Sequence, residues 1–231
     1  MSAVFEGRTS DSPYIEMVWR GHVEGDYAPV CPADARWNLL FAKRNGKVTV
    51  SAEGATTQFV PKTHPDGSEF LVIKFKLGVF MPYLPAGNLL NGDATLPEAA
   101  SSNSFWLNGS AWQLPDFDNA EAFVEKMARK GLLVREPTVN AALQEEPLFM
   151  SSRTVRRRFL MATGLTPKTI QQIERAQRAT ALLENGVSIL DAAYQVGYAD
   201  QPHMTRALRR FIGQTPAQIA RVSEPEGAIN G

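Results

Sequence analysis

The sequence predicts an α+β chain: a β-rich N-terminal barrel or sandwich, then an all-α unit of two helix-turn-helix motifs joined by a long linker helix. Three observations predict it. Short apolar runs punctuated by turn residues fill the first half. From Asp118 onward the apolar spacing changes to the helical period. A segment beginning at Ser151 recurs 49 residues later, beginning at Asp200.

The β-rich reading rests on Ile15–Trp19, Trp37–Phe41, Lys47–Ser51 and Phe70–Phe75, separated by Asn45-Gly46, Glu53-Gly54, Pro65-Asp66-Gly67 and Asn91-Gly92. Asn45-Gly46 between two apolar runs is a hairpin signal, because both central residues of a type I′ turn need positive φ. The strands are expected within about residues 10–118. A first helix follows over Asn119–Gly131, with Ala122, Phe123, Met127 and Ala128 as its apolar stripe and a glycine to close it. Residues 1–131 then form a sensory or interaction domain, 132–222 a helical domain and 223–231 a flexible tail.

Composition narrows the function. The chain carries 24 Lys+Arg and 24 Asp+Glu in 231 residues, but unevenly. Residues 1–136 hold 13 basic and 16 acidic side chains, whereas residues 150–221 hold 11 basic and 4 acidic. A basic C-terminal third fits a polyanionic partner. The single cysteine, Cys31, excludes an intrachain disulfide. Met1–Ser10 lacks a signal peptide's apolar run, which reads as a cytoplasmic protein. No stretch approaches the roughly 18 apolar residues of a membrane span, so no membrane partner is expected.

The repeat is ungapped. Arg157 falls on Arg206, Gly164 on Gly213, Thr166 on Thr215, Pro167 on Pro216 and Ile170 on Ile219. Gly-x-Thr-Pro has a local logic: glycine ends one helix, threonine caps the next, and proline takes its first position, where no amide donor is lost. In the second copy Ser188 caps a helix burying Ile189, Ala192, Ala193 and Val196, and Gly197 supplies the turn. The next helix, about Gln201–Phe211, buries Met204, Ala207, Leu208 and Phe211. It presents Gln201, Thr205, Arg206 and Arg209, side chains able to reach base edges in a major groove, while Arg210 meets the backbone. In the first copy Val139, Ala142 and Leu143 open the motif and Pro147 stops its first helix. Ser151 or Ser152 caps a second helix running to Thr163. Val155, Phe159 and Ala162 point inward there, leaving Arg153, Arg156 and Arg157 outward, with Ser152 and Arg158 as phosphate contacts. Three arginines on one face repel each other unless an anion lies opposite, and DNA supplies one. Pro167–Asn185 connects the copies as one stiff helix closed by Gly186. If both reading helices enter successive major grooves, they stand about 34 Å apart.

The stretch Arg178-x-x-x-Ala181-Leu182-Leu183, Ser188-Ile189-x-x-Ala192-Ala193-x-x-Val196-Gly197-Tyr198-x-Asp200-Gln201, Arg206 and Gly213-Gln214-Thr215-Pro216 resembles the DNA-binding domain of AraC/XylS transcriptional regulators. The resemblance covers about 85 of 231 residues. It implies base contacts from Arg153, Arg156, Arg157, Gln201, Thr205 and Arg206, double-stranded DNA and RNA polymerase as partners, and a cupin-like N-terminal domain that takes a small organic effector. Pro202, His203, Leu208 and Pro147 depart from the family's usual residues.

The N-terminal half says less. His22 and His64 lie 42 residues apart, with no closely spaced pair for a metal, so no metal and no cofactor are expected. The aromatic segment from Phe80 to Trp112, with Tyr83, Phe105, Trp106 and Trp112, either lines an effector pocket or is ordinary core. A docking or dimerisation role is the alternative for this half, with a monomer and a homodimer both open. A remoter alternative makes it an enzyme such as a DNA-repair alkyl transferase, which needs a reactive Cys31. No paired catalytic carboxylates or nucleophile triad is apparent, so the chain reads as a non-enzyme.

Overall fold

The computed structural model describes residues 2–99 and 103–222; the tail expected at 223–231 lies outside the described residues. Strands β1 (Ser2–Thr9), β2 (Ile15–Glu24), β4 (Asn38–Arg44), β5 (Lys47–Glu53), β7 (Glu69–Phe75) and β9 (Asp93–Leu96) form one antiparallel sheet in the order β1-β2-β7-β4-β5-β9. Pairs of short strands complete this half: β3 (Val30–Cys31) with β6 (Val60–Pro61), β8 (Val79–Phe80) with β12 (Val134–Arg135), and β10 (Ser104–Leu107) with β11 (Ser110–Gln113). Helix α1 (Ala120–Arg129) precedes β12. Sheet pairing therefore continues past residue 131, to Arg135.

The central strand β7 is buried on both faces, which explains why Phe70–Ile73 reads as a continuous apolar run. Leu71, Ile73 and Phe75 join Val18, Leu39 and Phe41 in a core beneath α1 and the β10–β11 hairpin. Phe70 and Val72 point the other way, into a smaller cluster with Val23. The Asn45-Gly46 turn is as expected: Asn45 has φ 50° and Gly46 φ 76°, and Arg44 pairs with Lys47. Two sequence expectations change. The sheet begins at Ser2, because the polar-rich β1 pairs along its whole length with β2. On α1 the buried residues are Ala120, Phe123, Val124 and Met127, and Ala122 faces solvent; the stripe lies one position off the expected one.

The C-terminal half contains α2 (Pro137–Leu143), α3 (Ser152–Thr163), α4 (Pro167–Glu184), α5 (Ile189–Gln195), α6 (Gln201–Phe211) and α7 (Pro216–Val222). Helix α4 buries Ile170, Ile173, Ala176, Ala179 and Leu183 as the axis of a single core that gathers Phe159 and Ala162 from α3, Ala192 and Ala193 from α5, and Met204 and Leu208 from α6. That core is not closed by helices alone. Ala33, Ala35, Ala55 and Phe80 of the N-terminal half belong to the same cluster. Polar contacts reinforce the join: Gln177 Nε2 donates to the Ala33 carbonyl (2.8 Å), and Arg36 reaches Glu174 on α4 (3.5 Å) while also pairing with Glu16.

Candidate nucleic-acid interface

The second motif is built from caps inward. Ser188 Oγ accepts from the Asp191 amide (3.1 Å) and starts α5. Gly197, at φ 77°, makes the turn, and Asp200 accepts from the His203 amide (2.6 Å) to start α6. Helix α6 then buries Met204, Leu208 and Phe211, so Gln201, Arg206, Arg209 and Arg210 are held outward by packing on the other side. Thr205 is half-buried, and its hydroxyl donates to the Gln201 carbonyl (2.9 Å). The linker helix steadies the turn: the Arg175 guanidinium lies 5.7 Å from the Tyr198 ring centre and donates to the Gly197 carbonyl (3.4 Å). His203 meets Tyr198 edge-on at 5.2 Å; the sequence reading gave this pair no role.

The first motif repeats the scheme. Ser151, not Ser152, is the cap of α3, accepting from the Thr154 amide (3.2 Å), which leaves the Ser152 hydroxyl exposed at the helix N-terminus. The first helix of this motif ends at Leu143, four residues before Pro147; the chain turns there through Glu145, at φ 56°. Phe159 and Ala162 are buried and Val155 is half-buried, while Arg153, Arg156 and Arg157 are exposed. Thr166 caps α4 by accepting from the Thr169 amide (3.2 Å), and Pro167 takes its first position.

The charge arrangement separates the basic residues into two kinds. Among the described residues Arg153, Arg156, Arg157, Arg206 and Arg209 form no ion pair. Arg158 differs. Its guanidinium lies 3.7 Å from Glu136, a largely buried carboxylate between β12 and α2. Arg158 thus has an acidic neighbour at the junction of the halves, which the other arginines of α3 lack among the described residues. Arg210 spreads over the ring of Phe211 (4.9 Å).

The four aromatic residues singled out in the N-terminal half do not share a cavity. Phe105 and Trp112 face each other across the β10–β11 hairpin and are buried in the core, whereas Trp106 and Tyr83 are exposed. Alternation along a strand sends neighbours to opposite faces, so proximity in sequence did not become a pocket. Although the Tyr83 side chain is partly exposed, its hydroxyl sits against Met81, and desolvation there pushes its pKa up to about 12. Concavities lie elsewhere, among them a cleft of about 480 Å³ between the outer sheet face and the β3–β6 ribbon. Trp19, Tyr27, His64 and Phe70 line it, with Lys62, Lys74 and Asp34. Lys62 pairs with Glu53 (2.6 Å) and Lys74 with Asp34. Burial pushes the His64 imidazole below its ordinary value, with Lys62 adding to the effect and Glu53 opposing it. Burial likewise raises the Cys31 thiol, Lys62 opposing and Glu53 assisting, which is the reverse of what a nucleophilic thiol needs. The crevice between the two halves, lined by Phe80, Met81, Leu89 and Ala162, has only about 20 Å³ and holds no more than a water-sized guest.

Two capped helix pairs, each with its second helix carrying unpaired arginines outward and both braced on one linker helix, define the double helix-turn-helix class of DNA-binding domain. Residues 146–221 match the family described as "Helix-turn-helix domain". The chain is 36% identical over 88 residues to the HTH-type transcriptional regulator RipA of Corynebacterium glutamicum, covering 37% of this chain and 27% of that protein. It is 32% identical over 108 residues to the regulatory protein ada of Salmonella typhimurium, covering 45% of this chain and 31% of that protein. It thus spans less than a third of these relatives' lengths. Crystal structures of ToxT from Vibrio cholerae align over 96% of this chain and 98% of theirs at a TM-score of 0.44 and 8% identity, too loose a likeness to carry residues across. No helix among the described residues is long and apolar enough to cross a membrane.

Proposed function

We propose that this protein is a sequence-specific DNA-binding transcription regulator whose α3 and α6 enter successive major grooves of one duplex, and whose N-terminal half answers to a small organic molecule. The observation that carries the first part is the set of five exposed arginines on the two second helices that form no ion pair among the described residues. With no counter-ion among the described residues, such a surface gains most from a phosphate backbone and guanine edges. In this reading Arg153, Arg156, Arg157, Gln201, Arg206 and Arg209 read bases, while Ser152 and Arg210 hold phosphates. Thr205 joins the readers by releasing its hydroxyl from the Gln201 carbonyl. RNA polymerase is the natural second partner of a regulator at a promoter.

The effector belongs in the cleft beneath the β3–β6 ribbon rather than at Tyr83, Phe105, Trp106 and Trp112. Its volume and its mixture of aromatic walls with a few charged groups are those of a small-molecule site. The test is selection of bound duplexes from a random library by the full chain at near-physiological salt. A motif of two half-elements about one helical turn apart is the expected outcome. Failure of the folded chain to enrich any sequence would sink the proposal.

A further inference from the structure

The sequence repeat pairs Gly164 with Gly213, and the helix-ending role they share explains both only in part. Each follows its reading helix and has positive φ, 69° and 83°. So do Gly131 and Gly186 after their helices, yet a Cβ at either of those would meet nothing within 4 Å. At Gly164 a Cβ would stand 3.0 Å from the backbone of Ala86 and Gly87; at Gly213 it would stand 2.9 Å from the ring of Phe59 and 3.0 Å from Val30. These contacts all belong to the N-terminal half: Ala86–Leu89 is a short 3₁₀ turn after β8, Val30 is the first residue of β3, and Phe59 immediately precedes β6. The matched glycines are therefore the points where the ends of both reading helices touch the other half of the molecule.

Backbone hydrogen bonds strengthen the second contact. The last carbonyls of a helix have no partner within it and must find one outside. The Arg210 carbonyl accepts from the Phe59 amide (3.1 Å) and the Phe211 carbonyl from the Ala33 amide (2.6 Å). The N-terminal half thus caps α6 directly. On α3 the residue matching Phe211 is Ala162, which borders the tight crevice beside Ala86 and Leu89. All these contacts lie at the C-terminal ends of the reading helices, leaving Arg153 and Arg206 exposed.

We propose that the N-terminal half is a two-point brace, holding the paired ends of α3 and α6 at Gly164 and Gly213, and that Phe59 and Val30 are positioning residues for the half-site spacing this protein accepts. The inference rests on the DNA-reading function proposed above. The brace grips without covering the reading faces, so it governs how far apart and in what rotation the two helices are presented. One added base pair turns a half-site by roughly a tenth of a helical turn, so a braced pair of readers must be selective for spacing. The Pro29–Asp34 segment that provides the cap also walls the effector cleft, giving a bound molecule a short route to α6.

The experiment compares the full wild-type chain with a Val30→Ser/Phe59→Ser double variant on duplexes whose two selected half-elements are separated by one to three base pairs more or fewer than the optimum. Wild type is expected to favour the optimum by about tenfold or more, equivalent to about 1.4 kcal/mol. The variant should fall to within about twofold across spacings while binding an isolated half-element as wild type does. Amide exchange at Ala33, which the variant leaves unsubstituted, supplies a DNA-independent reading and should quicken in the variant. Gly213→Ala is the second variant, set against Gly197→Ala: both glycines have positive φ, but only Gly213 meets the N-terminal half, so Gly213→Ala should lower Tm further and relax spacing. Retained spacing preference despite faster exchange overturns the brace, as does unchanged exchange in the double variant. Absence of any selected site for wild type instead overturns the DNA-reading function, and is recognised by failing before any spacing is compared.

Discussion

Replacing Arg206 with alanine isolates the contribution of one reading side chain. Arg206 is exposed, lies in the middle of α6 opposite Met204 and Leu208, and has no ion-pair partner among the described residues. Alanine is also a favourable residue on an exposed helix face. The substitution therefore removes little from the folded protein, and its effect should fall on the complex. A bidentate arginine–guanine contact gives about 1–3 kcal/mol of discrimination, so binding to the selected site should weaken by about 5- to 150-fold. Fluorescence anisotropy at one fixed salt concentration, on the selected duplex and on duplexes with each base pair changed in turn, measures this. One changed base pair should weaken wild type but leave the variant unaffected, identifying the base that Arg206 reads. An equal loss on selected and random duplexes would refute base reading and make Arg206 a phosphate contact; no loss on either would remove it from the interface.

Other outcomes follow from particular contacts. Arg210→Ala should reduce the slope of log K against log salt by about 0.9, the loss of one phosphate contact, whereas Arg158→Ala, whose guanidinium is held by Glu136, should leave the slope unchanged. A matching fall for both would place Arg158 on the DNA after all. Leu208→Ala removes a fully buried side chain from the core shared by α4 and α6 and should cost about 2–5 kcal/mol in urea unfolding of the full chain; less than about 1 kcal/mol would mean that α6 is not integral to that core. Glu121 ties α1 to Arg8 on β1 through two hydrogen bonds of 2.5 and 2.7 Å, and the Arg8 guanidinium holds its carboxyl down at about 2. Since the folded-state value is depressed, its stabilisation should be complete above about pH 4.5 and disappear as pH falls through about 2. Glu121→Gln should therefore lower Tm at neutral pH and converge with wild type in strong acid; a constant difference across that range would argue against the ion pair as the cause.

The helical half was legible because its signals are local and repeated. Ser188, Thr166 and Asp200 cap the helices they precede, the apolar spacing of α6 picks out the residues that are buried, and Gly197 stands at the turn. The outward arginines followed from the same periodicity. The ion pair of Arg158 was not legible, because its partner, Glu136, is 22 positions away and meets it at the junction between the halves. The N-terminal strands were legible wherever turn residues marked them. The cleft was not, since its walls come from β1, β2, β4, β7 and the ribbon of β3 and β6, segments that are distant in sequence. Aromatic residues close together in the chain suggested a pocket, but strand alternation and the hairpin register put two of them into the core and two outside.

The join between the halves left little trace in the sequence for a related reason. Ala33 and Phe59 cap α6 through their backbone amides, a function that any residue except proline can perform. Ala33, Ala35 and Ala55 enter the helical core as small side chains, which read in isolation as unremarkable loop residues. The repeated glycines were visible, but a helix-ending role already accounted for them, so nothing local called for a second one. Only the placement of Phe59, Val30 and Ala86 against the paired glycines distinguishes them from Gly131 and Gly186. The helical half is thus not an independent reader joined to the N-terminal half by a tether alone. Part of its core and the cap of its second reading helix are supplied by the N-terminal half, and any change that moves the Pro29–Asp34 segment acts on α6 through the Ala33 amide and on the linker helix through the Ala33 carbonyl.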